Sequence, residues 1–177
     1  MKIAIDPGHK CPPDTGAEGF LIEQDLNQDI YNELSWLLID AGVEVVNCRP
    51  TTRVKSVTES LSRRCAIANA AKADYFISIH HNAGGGTGSE IFAISPEGKK
   101  LAASVLAPLC ALGFRNRGVK ERGFLVLRKT NMPAILIEVC FIDNAADCQL
   151  WEKLKAKQIA SAIFKGLDDC LQITSQS

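Results

Sequence analysis

The sequence carries no surplus of charge: 20 Lys plus Arg against 20 Asp plus Glu give a formal net charge of zero over 177 residues. Without a basic excess there is no electrostatic case for a nucleic-acid partner. A substrate surface of fixed charge is not indicated either. No apolar run approaches the length that crosses a bilayer, so membrane insertion is not expected. The first residues, Met1-Lys2-Ile3-Ala4-Ile5-Asp6, enter a strand pattern at once, with neither a positive n-region nor an h-region. No Sec-type signal peptide is visible, and synthesis in the cytoplasm is the expectation. Internal repeats, linkers and CxxC pairs are absent, and no partner chain is implied. The seven cysteines (Cys11, Cys48, Cys65, Cys110, Cys140, Cys148 and Cys170) are odd in number. They read as small buried hydrophobes in a reducing compartment, ahead of disulfides and further ahead of a zinc–thiolate site. Histidine is scarce too, with three in the chain.

What remains is an ordinary globular balance, 46% apolar and 23% charged, enough for one domain with a real core. Strand patterns at Lys2 to Asp6, Val43 to Asn47, Tyr75 onward, Ser89 to Ile94, Phe124 to Leu127 and Ala134 to Val139 alternate with helical ones. Helical spacing runs from Glu23 to a stop at Gly42, and a capping box at Ser56 opens a second helix. Ser95-Pro96 opens a third, in which Pro108 is expected to kink the helix or end it early. A last helix is expected from about Ala156. The pattern predicts an α/β fold: a twisted, mostly parallel mixed sheet of about six strands, with helices on both faces and room for one antiparallel member. A domain over 1–172 and a frayed tail over 173–177 follow.

Chemistry gathers at strand ends, where open α/β sheets bind ligands. His80, His81 and Asn82 sit where the run from Tyr75 stops before Gly84, Gly85 and Gly86. His9 sits at the end of the first strand, and Glu138 is a lone carboxylate among apolar residues. Two histidines and a carboxylate suit zinc, and His9, Glu23 and His80 would supply such a set. Each also has an ordinary explanation: His9 as a turn residue, Glu23 as an acid favoured at a helix start, His80 as a hydrogen-bonded core histidine. Side chains alternate along a strand, so His80 and Asn82 share a face and His81 points away. Glu138 must be ion-paired, metal-bound or an acid/base with a shifted pKa, because an unpaired buried carboxylate is costly.

The segments Ile3-Ala4-Ile5-Asp6-Pro7-Gly8-His9, Glu23 before Asp25-Leu26-Asn27, Ser78-Ile79-His80-His81-Asn82-Ala83, Gly88-Ser89-Glu90 and Met132 to Glu138 follow one another over nearly the whole chain. Together they resemble the zinc-dependent N-acetylmuramoyl-L-alanine amidases of the type-3 family. The resemblance implies one zinc held by His9, Glu23 and His80, with Glu138 as catalytic acid/base, and the choice of Glu23 over Glu18 rests on it. It implies a peptidoglycan hydrolase that cuts between N-acetylmuramic acid and the L-alanine of the stem peptide. Asn82, Arg117, Lys120 and Arg128 are candidate substrate contacts. The loop after Arg53 lacks the acid usual in the family, and Cys140 and Cys148 lie outside its pattern. Only a short glycine-rich loop stands where some relatives carry an inhibitory helix, so an open site is expected. A phage-type endolysin or an autolysin exported by a non-Sec route fits, acting on the wall after release. The rivals are an inactive wall-binding module, a zinc peptidase acting on another wall amide, and a nucleotide binder using Gly84 to Gly88; the last lacks a following Lys-Ser/Thr.

Overall fold

The computed structural model describes residues 1–174. Its single sheet contains β1 (Lys2–Pro7), β2 (Glu44–Asn47), β3 (Tyr75–Asn82), β4 (Ser89–Phe92), β5 (Asn116–Lys120) and β6 (Ala134–Phe141). Their order across the sheet is β2-β1-β3-β6-β4-β5. The first four in that order are parallel, β4 is antiparallel to β6, and β5 is parallel to β4. The mixed, mostly parallel sheet expected from the sequence is therefore present, with two strands rather than one running against the rest.

Alternation along the strands divides the core into two layers. Ile3, Ile5, Ile77, Ile79, Ile135, Ile137 and Val139 pack with α1 (Glu23–Asp40), α3 (Pro96–Ala111) and α5 (Ala145–Leu171). Ala4, Phe76, Phe92, Ala134 and Leu136 pack on the other face with α2 (Val57–Ala70) and the short α4 (Leu125–Lys129). Both faces are covered, which explains why the central strands read as almost continuous apolar runs. On the second face the apolar layer stops short of the strand ends, and polar residues take over at Asp6, Ser78, His80, Glu90 and Glu138. That layer holds the site.

Several expectations change. Phe124 to Leu127 is not a strand: Phe124 precedes α4, and its ring meets Phe92 edge-on with centroids 5.0 Å apart. A short apolar run has no period with which to tell strand from helix. The sixth strand is instead β5, whose sequence Asn-Arg-Gly-Val-Lys is too polar to show alternation because it lies at a sheet edge. The last helix begins at Ala145, capped by Asn144, and breaks at Lys155 (φ 58°, ψ 168°), so the expected start near Ala156 is that of its second half. Ile173 is buried and Thr174 bonds Asp168, so the frayed tail does not begin at Ile173; residues 175–177 lie outside those described.

Pro108 does not end α3, which continues to Ala111. As a proline it has no N–H to offer the carbonyl of Ser104 one turn earlier. α5 packs directly against this turn. A Cβ on Gly166 would lie 2.4 Å from Val105 Cα and 2.6 Å from Ser104 O, and Ser104 Oγ donates to the Gly166 carbonyl at 2.8 Å. The two helices touch backbone to backbone there. Gly166→Val is expected to lower unfolding free energy by at least ~2 kcal/mol through overpacking, read as a fall in urea midpoint. A wild-type midpoint would mean the helices can separate at no cost.

Candidate active site

β1 ends at Pro7, and after Gly8 the chain turns through two left-handed residues, His9 (φ 62°) and Lys10 (φ 57°). Such a conformation costs roughly 1–2 kcal/mol at a non-glycine residue. It persists because the His9 carbonyl accepts from Arg64 Nη2 at 2.7 Å and from Arg49 Nε at 3.1 Å. Gly8 is required for a different reason: a Cβ there would lie 2.3 Å from the His80 ring. The bare backbone lets the imidazole lie against β1.

Three side chains from three elements converge. Glu23 Oε1 is 3.1 Å from His9 Nε2 and 2.9 Å from His80 Nδ1. One donor atom from each of the three lies within 4.8 Å of the others. The carboxylate is fixed from behind, since Oε2 accepts from the Ala17 amide at 2.9 Å and Oε1 from the His81 amide at 3.2 Å. A Cβ on Gly16 would fall 2.8 Å from the His9 ring and 2.9 Å from Glu23 Oε2, so this loop is glycine where it closes on the cluster. Glu23 opens α1, whose first turn favours an anion. Burial opposes that charge, but hydrogen bonds and charge at His80 and His9 overcome it and hold its pKa far below the usual carboxylate range.

His9 is held on its other side by Asp14, with Nδ1 to Oδ1 at 2.5 Å. Burial works against an imidazolium, but Asp14 and Glu23 outweigh it and raise the His9 pKa to about 9. Asp14 Oδ2 accepts from Ser60 Oγ at 2.7 Å and lies 3.5 Å from Arg64. Arg64 has no solvent exposure, and it donates to Asp6 Oδ1 at 2.6 Å and to the Pro7 carbonyl at 2.9 Å. Ser78 Oγ completes the chain by donating to Asp6 Oδ2 at 2.8 Å. Neither Asp14 nor Arg64 stood out in the sequence. Arg64 left a signal, a charged residue among Leu61, Cys65 and Ala68 on the apolar side of its helix. Asp14 left none beyond being an acid in a Pro- and Gly-rich loop.

The alternation argument places His80 and His81 as expected. His81 is buried on the opposite face, its Nδ1 on Asn27 Oδ1 at 2.8 Å and its Nε2 accepting from Trp151 Nε1 at 3.0 Å. Burial drives its pKa down to about 3, so it is a neutral ring with both nitrogens occupied.

Glu138 is the direct register partner of His80 across β3 and β6. It lines one cavity of about 350 Å³ with His9, Glu23, His80 and Asn82, walled by Val57 and Leu61 of α2 and by Phe124, Leu125 and Val126. The residue is partly exposed, yet its Oε2 is fully enclosed and has no hydrogen-bond partner among the described residues. Burial raises its pKa to about 7; the charge of His80 pulls it down, and Glu23 and Glu90 push it up. Among the candidate substrate contacts, Asn82 lines this cavity. Arg117 and Lys120 stand on β5, two strands beyond Glu138, where both meet Glu90 of the intervening β4. Arg128 does not join them: it is exposed and lines a separate cleft with Ile94, Ser95 and Met132.

The open α/β sheet gathers two imidazoles and two carboxylates at the ends of its central strands, one carboxyl inclined to keep its proton, a set of groups suited to hydrolytic chemistry. The chain belongs to the N-acetylmuramoyl-L-alanine amidase family, whose profile matches residues 3–169. It is 39% identical over 173 residues to the N-acetylmuramoyl-L-alanine amidase CwlM of Bacillus licheniformis, covering 94% of this chain and 65% of that protein. It is 32% identical over 186 residues to the endolysin of Bacillus phage SPP1, covering 99% of this chain and 68% of that one. The N-acetylmuramoyl-L-alanine amidase structure from Clostridium difficile 630 superposes with a TM-score of 0.85 at 33% identity, over 97% of both chains. The chain spans less than two thirds of the length of CwlM.

The raised pKa of Glu138 has a consequence for stability. Ionising it costs the folded state, a cost absent below its ordinary pKa of 4.5 and fully present above about 7. In chelator-treated protein Glu138→Gln is therefore expected to be more stable than wild type above pH 7, by up to ~3 kcal/mol, the gain fading toward pH 4.5. Thermal melts across that range decide it, and a pH-independent difference would show that ionisation is not the cause.

Proposed function

We propose that this chain hydrolyses the amide joining the lactyl group of N-acetylmuramic acid to the L-alanine of the peptidoglycan stem peptide, with zinc at His9, Glu23 and His80. The observation that carries the reading is the convergence of those three donors in one cavity with the unpartnered carboxyl of Glu138. The donor set fits the metal, because two imidazoles and a carboxylate are a recurrent catalytic zinc set. When bound, zinc supplies Lewis-acid chemistry toward an amide carbonyl and a water molecule.

The remaining work falls to the protein. Asp14 accepts a hydrogen bond from Nδ1–H of His9, so that Nε2, which in the metal-free ring donates to Glu23, is the nitrogen that would give up its proton and bind zinc. The amides of Ala17 and His81 fix the Glu23 carboxylate. Glu138 takes a proton from the attacking water and passes one to the nitrogen of the departing peptide, so that the C–O bond forms as the C–N bond breaks. A group with a pKa near 7 can do both at neutral pH. An inactive wall-binding module would have no use for this carboxyl at the expense of stability. Action on the wall after release in the manner of an endolysin agrees with the phage relative.

Glu138→Gln is expected to keep its zinc and lose at least about 10²-fold in the rate of stem-peptide release from purified wall. Zinc analysis of the same preparation separates the roles: lost zinc would make Glu138 a ligand, and near-normal rate would remove it from the chemistry. Asp14→Asn tests the orientation of His9. Ser60 and Arg64 both present donors to Oδ2, so the asparagine carbonyl should turn to them and its NH₂ to His9 Nδ1. The ring must then carry its proton on Nε2, and zinc affinity should fall about 10–100-fold in competition with a chromophoric chelator. Unchanged affinity would show that Asp14 does not set the tautomer.

A further inference from the structure

Glu138 and Glu90 are direct partners across β6 and β4, and His80 and Glu138 are partners across β3 and β6. The three side chains therefore form one row on the same face of the sheet. Asn82, which lines the catalytic cavity, donates to Glu90 Oε1 at 3.1 Å. The row continues onto β5: Arg117 Nε donates to Glu90 Oε2 at 2.6 Å, and Lys120 Nζ donates to the same oxygen.

This cluster is not neutral. Glu90 is almost wholly buried and brings one negative charge against two positive ones. Both cations keep part of their surface in solvent, 27% for Arg117 and 39% for Lys120. Among the described residues, Arg117 Nη2 has no partner, and Lys120 Nζ uses one of its three donors. The guanidinium lies 4.8 Å from the centre of the Phe141 ring, which fixes its place. Strands stand ~4.8 Å apart, so the cations lie roughly 10 Å from Glu138, the span of about three extended residues. A peptide leaving the scissile amide along this row brings a side-branch carboxylate to them.

We propose that Arg117 and Lys120, held on Glu90, form a subsite for a free carboxylate on the second or third residue of the stem peptide. This deepens the amidase reading and rests on it. Glu90 keeps the pair from repelling each other, and the net positive charge left over selects an acidic peptide over its amidated counterpart.

The test compares two synthetic muramyl tripeptides that differ in one group, a carboxylate or a carboxamide on the second residue, and a second such pair varied at the third. The ratio of kcat/KM within each pair is the readout for the zinc-loaded wild type, Lys120→Gln and Arg117→Gln. Wild type is expected to prefer the carboxylate by about tenfold in one of the pairs, and each substitution should bring that ratio toward one. Melting temperatures show which variants fold, and Lys120→Gln alone suffices if Arg117→Gln does not. A wild type indifferent to both exchanges, or a preference that survives both substitutions, overturns the subsite. A zinc-loaded wild type that cleaves none of the substrates overturns the amidase reading and the subsite with it, an outcome distinguishable because no ratio exists.

Discussion

The structure depends on a buried guanidinium. Arg64 enters from α2, wholly out of solvent, and meets Asp6 of β1, the carbonyls of Pro7 and His9, Ser60 of its own helix and Asp14 of the following loop. Burial works against its charge, but Asp6 and Asp14 more than offset that, and its pKa rises above the usual arginine value. Burying an ion pair returns little net stability compared with an apolar core, and removing one partner strands the other. Here the network yields placement. It holds the end of β1 in the left-handed turn that swings His9 over the sheet edge, and it supplies the carboxylate that orients the ring.

The sheet does the rest by simple alternation. Odd-numbered residues of β3 enter the layer under α1, α3 and α5, and even-numbered ones face α2 and α4. Adjacent histidines therefore meet opposite fates. His80 reaches a cavity with Glu23 and Glu138, while His81 is locked between Asn27 and Trp151 as a buried neutral ring. The same register places His80, Glu138 and Glu90 in a line, so that one parity carries the donor cluster, the proton carrier and the neighbouring cationic pair.

The two carboxylates of the cavity are tuned in opposite directions by what they touch. Glu23 accepts from two amides and two imidazoles and stays ionised. Glu138 has one enclosed oxygen with no partner among the described residues and is inclined to keep its proton. Carboxyls whose environments push them apart are suited to different tasks in one reaction.

The sequence by itself determined the α/β class, the central strands, both ends of α1, the start of α2, and the face on which His80 lies. These follow from periodicity, caps and stops, which act over a few residues. The resemblance of its ordered segments to the amidase family singled out Glu23 over Glu18. Local signals could not decide α4 against a strand, because five residues hold no period, nor β5, because an edge strand needs no apolar alternation. They could not find Asp14, whose part comes from Ser60 and Arg64, 46 and 50 residues away in the chain. Nor could they show that Arg117 and Lys120 share Glu90 while Arg128 stands apart. Those placements come from the order in which strands cross the sheet, and that order is settled by packing between residues far apart in sequence.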